Sequence, residues 1–173
     1  MAQPLDFDPI GRAGQLWREH WPAEDESVYA SMRAVTSIMR AHQILIAELD
    51  AMLRTYGITF SRYEALVLLV HSSEGALPLS KIGHRLQVHA TSVTNMIDRL
   101  EGAGLVRREP NPHDGRGTLA VITPTGRDVA QRATAAFNAS RFGLSALSDS
   151  DLERLFGILH TLRLDAGDFV PDA

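Results

Sequence analysis

The fold is decided by residues 79–127, which run LSKIGHRLQVHATSVTNMIDRLEGAGLVRREPNPHDGRGTLAVITPTGR. The pattern predicts a short helix over 79–86, a tight turn at 87–89 and a second helix over 90–103 that Gly104 closes. Two short helices joined by a three-residue turn indicate a helix-turn-helix. The segments 105–108 (LVRR) and 118–122 (TLAVI), separated by a loop rich in Pro and Gly, then predict a two-stranded β-hairpin.

The rest of the chain predicts further helices around this segment. Asp8 and Pro9 are the expected N-cap and first position of a helix over 9–20. Ser27 is the expected cap of a helix over 27–56. Thr59 and Ser61 are expected to open a third helix, in which Ser61-x-x-Glu64 matches a capping box ahead of the apolar run 65–70. Two C-terminal helices are expected over 124–147, after Thr123-Pro124, and over 148–165, capped by Ser148-x-x-Asp151.

These elements predict one mostly helical domain over 1–173, with seven helices and a small β-hairpin. The helix over 27–56 would be about 40 Å long and carries one continuous apolar stripe. A stripe of that length exceeds what one small core requires, and its expected partner is a second copy of the chain. We therefore expect dimerisation helices at 9–56 and 124–165, on either side of a DNA-binding region at 58–123.

The composition excludes several classes of protein. The 173 residues include no Cys, which rules out disulfides, thiol nucleophiles and cysteine-based metal or redox centres. Apolar runs are too short for a membrane span, and the first residues do not resemble a signal peptide, so we expect a cytoplasmic protein without membrane contact. The net charge is −4, but residues 80–127 carry seven Lys or Arg and four acids, which favours a polyanionic partner there.

The helix over 90–103 has the side chains that base recognition requires. Val93, Ile97 and Leu100 share one apolar face. The opposite face carries small polar side chains, namely Thr91, Ser92, Thr94 and Asn95. Asn can pair with adenine through two hydrogen bonds, while Thr and Ser offer hydroxyl and methyl groups to base edges. A solvated helix face is the alternative for such a pattern, but the preceding helix and turn and the following basic hairpin disfavour it.

The hairpin loop, residues 109–117, presents one arginine near its end. Arg116 has the chemistry to enter the narrow, negative minor groove of DNA, and Asp114 can hold a nearby guanidinium in place. An ordinary surface turn with a weak local ion pair is the alternative for this loop taken by itself.

Segments 79–86, 92–108 and 111–127 together resemble the MarR family of winged helix-turn-helix transcriptional regulators, over about residues 28–165. The resemblance implies a homodimer, usually a repressor, whose recognition helix lies in the major groove and whose wing, the hairpin, lies in the minor groove. It implies base contacts by Thr91, Ser92, Thr94 and Asn95, and minor-groove insertion of Arg116 supported by Asp114. It also implies that Arg99 braces the wing through Asp114. The expected phosphate contacts are Ser61, Arg62, Lys81, Arg85, Arg107 and Arg108.

The family resemblance also implies a small-molecule effector, often an aromatic or phenolic acid, that lowers DNA affinity. The additional N-terminal helix with Trp17 is similar to the urate-responsive branch, where the matching positions here are Glu64, Met96 and Arg107. Glu64 stands in place of Asp and Met96 in place of a cation, which argues against urate itself. The candidates for a more general effector pocket are Trp17, Arg33, Arg40, His42, Tyr63 and Glu64.

Other functions are less favoured by the sequence. Seven histidines include no His-x-x-x-His pair, so we expect no metal and no other cofactor. Nucleotide-binding loops, nucleophile elbows and paired catalytic carboxylates are absent from the sequence, so we do not expect an enzyme. A winged helix that docks on another protein without specific DNA binding remains the alternative function.

Overall fold

The computed structural model describes residues 4–23, 25–112, 114 and 117–171. The chain divides into two compact units, Met1–Phe60 and Ser61–Ala173. Within the described residues, no helix is long and apolar enough to cross a membrane.

Among its described residues, the first unit contains two α-helices and a short 3₁₀ helix. Helix α1, Pro9–His20, begins as predicted: the Asp8 side chain accepts a hydrogen bond of 3.0 Å from the Ile10 N–H. Helix α2, Ser27–Leu53, continues into a 3₁₀ turn, Arg54–Tyr56, that ends at Gly57 in the left-handed conformation.

The predicted capping of α2 by Ser27 is wrong. Ser27 is already inside the helix, and the Asp25 carboxylate accepts from its backbone N–H at 2.8 Å and from its hydroxyl at 2.6 Å. Asp25 can fill this position because its two carboxylate oxygens accept both hydrogen bonds from Ser27 at once. The same hydrogen bonds lower the pKa of Asp25.

The second unit contains five helices and a sheet among its described residues. The helices are α3 (Phe60–Val70, whose first residue belongs to the first unit), α4 (Leu79–Leu86), α5 (Ala90–Gly102), α6 (Pro124–Ser140) and α7 (Asp149–Asp165). Because α3 starts at Phe60, Ser61 lies within the helix and not at its cap. Thr59, the other residue expected to open this helix, directly precedes Phe60, and the Asp50 carboxylate accepts from the Phe60 N–H at 2.6 Å.

The sheet has three antiparallel strands, in the order β1 (Ala76–Pro78), β3 (Thr118–Ile122), β2 (Val106–Pro110). Strands β2 and β3 are the predicted hairpin, in register from Val106 opposite Ile122 to Pro110 opposite Thr118. Strand β1 was not predicted. Three residues ending in Pro carry no alternation that the sequence could reveal, and pairing with β3 supplies the hydrogen bonds that make them a strand.

Helix α6 ends seven residues earlier than predicted. Arg141 and Phe142 adopt left-handed conformations, with φ of 50° and 53°, and form a short 3₁₀ turn before α7. Ser148 then caps α7 as predicted and accepts from the Asp151 N–H at 3.2 Å. The fold is thus mostly helical with a small antiparallel sheet, as expected from the sequence.

The helix-turn-helix is held together by close packing at one glycine. Gln87 closes α4 in the left-handed conformation, and the Val88 N–H donates to the Gly83 carbonyl at 3.0 Å. A Cβ at Gly83 would lie 3.1 Å from the Val93 side chain and 3.2 Å from the Val88 carbonyl oxygen. Glycine at this position therefore allows α4 to approach α5 and the turn closely.

Candidate nucleic-acid interface

Helix α5 separates a buried apolar face from an exposed polar one, as predicted. Val93, Ile97 and Leu100 are at most 1% exposed and anchor the helix in the core of the second unit. The exposed side chains include those predicted to contact bases, Thr91, Ser92, Thr94 and Asn95, as well as Asp98 and Arg99. The Thr94 hydroxyl donates to the Ala90 carbonyl at 3.0 Å, which leaves its methyl group and a lone pair for other contacts.

Arg108 on strand β2 connects the wing to α5. Its guanidinium lies 2.6 Å from Asp98 Oδ1 and 2.5 Å from Glu101 Oε2, and its backbone N–H donates to the other Glu101 oxygen at 2.9 Å. The two hydrogen bonds that Glu101 accepts from Arg108, from its side chain and its backbone, hold the pKa of Glu101 below its usual range. The sequence analysis placed Arg108 at a DNA phosphate and did not foresee these partners. The seven-residue separation of Glu101 from Arg108, across a helix end and a turn, gives no periodic signal.

The other predicted phosphate contacts lie at exposed or half-exposed positions of the second unit. Lys81 and Arg85 are one helical turn apart on the exposed side of α4, and Ser61 and Arg62 lie in the first turn of α3. Arg107, on β2, donates to the Glu109 carboxylate at 2.6 Å. Each of these side chains can contact a polyanion without unfolding any element, but their role in DNA binding stays a prediction.

The wing loop is closed by hydrogen bonds of its own backbone. The Asn111 N–H donates to the Gly117 carbonyl at 3.0 Å, and the Gly117 N–H donates to the Asp114 carbonyl at 2.8 Å. A Cβ at Gly117 would lie 3.0 Å from Asp114 Oδ2, so the carboxylate lies directly against this glycine. Arg116 lies outside the described residues, and its minor-groove role and the bracing of Asp114 by Arg99 stay predictions.

Thr123 and Gly126, which the sequence analysis did not assign to the site, fix the base of the wing. The Thr123 hydroxyl donates to the Gly104 carbonyl at 2.8 Å and accepts from the Gly126 N–H at 3.0 Å. The Thr123 N–H donates to the Leu105 carbonyl at 3.0 Å. The end of β3, the start of β2 and the first turn of α6 therefore meet at one point.

The predicted effector residues are divided between the two units. In the first unit, Arg33 lines a cavity of about 220 Å³ with Gly11, Gly14, Arg18 and Tyr29. Trp17 is 39% exposed, with its ring centroid 4.8 Å from that of Trp21. Arg40 and His42 are exposed on α2.

In the second unit, Tyr63 is buried, its hydroxyl lies 2.9 Å from Thr134 Oγ1 and its ring meets Phe137 edge-on. Burial raises the pKa of the neighbouring Glu64. Met96, which takes the place of the urate-branch cation, is buried on the core side of α5. The apolar stripe that anchors α5 accounts for a methionine there.

The described residues contain no group of three or more His, Asp or Glu that could hold a metal ion.

The second unit combines a helix-turn-helix, a three-stranded sheet and an exposed polar face on the second helix of the motif. These features define a winged helix-turn-helix protein.

Comparison with known proteins gives the family. Residues 58–118 match the model of the MarR family. The chain is similar to Sco5413, a MarR family transcriptional regulator from Streptomyces coelicolor, with 54% identity, a TM-score of 0.77, and coverage of 82% of this chain and 99% of that one. This protein belongs to the MarR family of transcriptional regulators.

Two other relatives extend the comparison. Sco3205, a MarR family regulator from Streptomyces coelicolor solved in complex with DNA, is 25% identical, with a TM-score of 0.71 and coverage of 88% of this chain and 96% of that one. The organic hydroperoxide resistance transcriptional regulator of Bacillus subtilis (strain 168) is 30% identical over 135 residues, which cover 78% of this chain and 83% of that protein.

Proposed function

We propose that this protein is a homodimeric repressor that binds a pseudo-palindromic operator with α5 in the major groove and the wing in the minor groove. Two-fold symmetry places the centres of the half-sites about one helical turn, roughly 10 bp, apart. A small aromatic or phenolic acid lowers its affinity for DNA.

The observation that carries this proposal is the polar face of α5. Thr91, Ser92, Thr94 and Asn95 are exposed on a helix whose other face is locked into the core, so they form a rigid surface of donors, acceptors and methyl groups. That combination matches the edges of base pairs in the major groove. The DNA complex of the relative Sco3205 supports the same use of the fold.

A selection of bound duplexes from a random pool, at physiological salt, tests the proposal. We expect wild-type protein to enrich a two-fold symmetric sequence. A folded dimer that enriches no sequence would contradict specific DNA binding and favour docking on a protein partner.

The Arg116→Ala substitution is expected to weaken binding to the selected site by about 1–3 kcal/mol, because it removes a cation from the minor groove. Fluorescence anisotropy with the labelled duplex measures the change. Arg12→Ala, in the first unit on α1, is the charge-matched control and should bind as wild type does. An unchanged affinity for Arg116→Ala would show that the wing does not enter the minor groove.

The homodimer is supported by exposed apolar side chains in each unit. On α2, Val35 and Met39 are 62% and 58% exposed, and on α7, Phe156 and Ile158 are 60% and 67% exposed. Exposed apolar surface of this kind marks an interaction site, and the N- and C-terminal helices are those predicted to dimerise.

Ile158→Glu is therefore expected to weaken the dimer at least tenfold, because a buried, unpaired carboxylate is strongly unfavourable in an interface. Light scattering over a dilution series measures the dissociation constant. Since Ile158 is mostly exposed in the single chain, its substitution should leave the helical circular dichroism unchanged. Glu74→Gln, at an exposed position in the loop before β1 and outside the helices predicted to dimerise, is the control. A variant that dimerises as wild type does would place the interface elsewhere.

The effector proposal is supported by Arg33 and its cavity in the first unit. Arg33 forms no ion pair with any described residue, so its guanidinium is available for the carboxylate of an aromatic acid.

A further inference from the structure

Lys81, in the first turn of α4, differs chemically from every other strong cation of the chain. Of the 17 lysine and arginine residues in the sequence, it is the one lysine. A guanidinium stays protonated at neutral pH, whereas an ε-ammonium can lose its proton and then act as a nucleophile. Acylation of basic side chains in this chain is therefore directed to a single position, which lies on the helix-turn-helix.

The Lys81 side chain is accessible and has no acidic partner. It is exposed, and its ammonium forms no hydrogen bond or ion pair with any residue that the structure describes. Helix α4, Leu79–Leu86, contains no Asp or Glu. No carboxylate therefore holds the ammonium in its charged form from the same helix, and a reagent can reach the amine from solvent.

The side chains one helical turn further along α4 favour a reagent with a negative charge. His84 and Arg85 follow Lys81 by three and four residues and are exposed, and residues at these spacings are neighbours on a helix surface. The fixed charge of Arg85 attracts anions, and a neutral imidazole can accept a proton. Asp168 lines a cleft with His84 and Arg85, but its carboxylate is paired with Arg163 at 3.7 Å.

We propose that Lys81 is acylated by acyl phosphates and that this modification lowers the affinity of the protein for its operator. The Lys81 amine attacks the carbonyl carbon of the donor, and an amide N–C bond forms. The bond from that carbon to the phosphate oxygen breaks, inorganic phosphate leaves with the bonding electrons, and the amine proton passes to His84 or to water. The effect on DNA rests on the proposed function, in which Lys81 contacts a phosphate, because the amide product carries no charge.

Acetyl phosphate is the probe, and mass spectrometry of the full chain, treated without DNA, measures the modification. We expect one acetyl group on the peptide that contains Lys81 and none at that position in Lys81→Arg. Arg85→Ala should slow acetylation of Lys81 by acetyl phosphate about threefold or more, because the local concentration of the anion falls. The same substitution should not change the rate with the neutral ester 4-nitrophenyl acetate. Arg154→Ala removes a charge from α7 and should react as wild type does with both reagents.

Fluorescence anisotropy with the selected operator measures the consequence for DNA binding. We expect acetylated wild type to bind about threefold or more weakly than the untreated protein, with the slope of log K against log salt reduced by about one. Lys81→Arg keeps its charge after treatment with acetyl phosphate. This variant should bind the operator equally well before and after treatment.

Three results would each overturn the proposal: Lys81 that stays unmodified, acetylation by acetyl phosphate that is as fast in Arg85→Ala as in wild type, or an operator affinity that acetylation does not change. Failure of the untreated protein to bind any selected duplex would instead refute the proposed function, and the effect on DNA with it. Acetylation of Lys81 is measured without DNA, so the two failures are distinguishable.

Discussion

Gly126→Ala is expected to lower the free energy of unfolding by about 3 kcal/mol or more. A Cβ at Gly126 would overlap the carbonyl oxygen of Leu105 and would lie 3.0 Å from Ile122 Cγ1. The same carbonyl accepts the Thr123 N–H, so the clash cannot be relieved without pulling α6 away from the base of the wing. Helix propensity alone would predict that the substitution raises the free energy of unfolding, since Ala is favoured over Gly by about 1 kcal/mol inside a helix.

Urea unfolding followed by circular dichroism measures this difference, with Gly102→Ala as the control. Gly102 is likewise a helical glycine, the last residue of α5, but a Cβ there would have no atom within 4 Å, so its substitution should be neutral or slightly stabilising. If Gly126→Ala were as stable as wild type, the close approach of α6 to Leu105 would be incorrect.

Arg108→Met is expected to lower operator affinity about tenfold, which corresponds to about 1.4 kcal/mol. The substitution keeps an apolar stem of similar length but removes the link between β2 and α5. It leaves Asp98 and Glu101 without their shared cation beside the surface proposed to meet DNA, where two carboxylates repel phosphates. Because the pKa of Glu101 is lowered, the ion pair is complete at neutral pH and is lost only as the pH falls through that lowered value.

A double-mutant cycle distinguishes this bracing role from a direct phosphate contact. In the Asp98→Asn, Glu101→Gln background there are no carboxylates for Arg108 to neutralise. If Arg108 acts only by bracing, its replacement in this background should change operator affinity little. If Arg108 contacts a phosphate, its replacement should lower operator affinity equally in both backgrounds. Salt dependence gives a second readout, because loss of one phosphate contact reduces the slope of log K against log salt by about one.

The sequence predicted those parts of the fold that a strong local pattern specifies. The apolar positions of α5 recur at helical spacing, and Asp8, Thr123 and Ser148 cap helices where expected. Strand β1 and the early end of α6 were missed because both depend on contacts distant in sequence or on backbone conformation. Arg141 and Phe142 are not residues for which a left-handed conformation is expected.

The candidate site also has some features that a local sequence pattern predicts and others that depend on contacts distant in sequence. The polar face of α5 follows from periodicity, since fixing Val93 and Ile97 in the core leaves Thr94 and Asn95 exposed. Arg108 looked like its exposed neighbour Arg107 in sequence, but antiparallel pairing turns successive side chains of β2 to opposite faces of the sheet. Only the three-dimensional arrangement shows that Arg108 reaches Asp98.

The central claim, that the exposed face of α5 contacts base edges, is tested most directly by Asn95→Ala. Wild type and variant are titrated against the selected operator and against duplexes in which each base pair of one half-site is replaced in turn. We predict that the variant loses about 1–3 kcal/mol on the operator and no longer discriminates at one or two adjacent positions, while discrimination elsewhere is retained. A variant with the wild-type profile at every position, or with a uniform loss at all of them, would contradict the assignment.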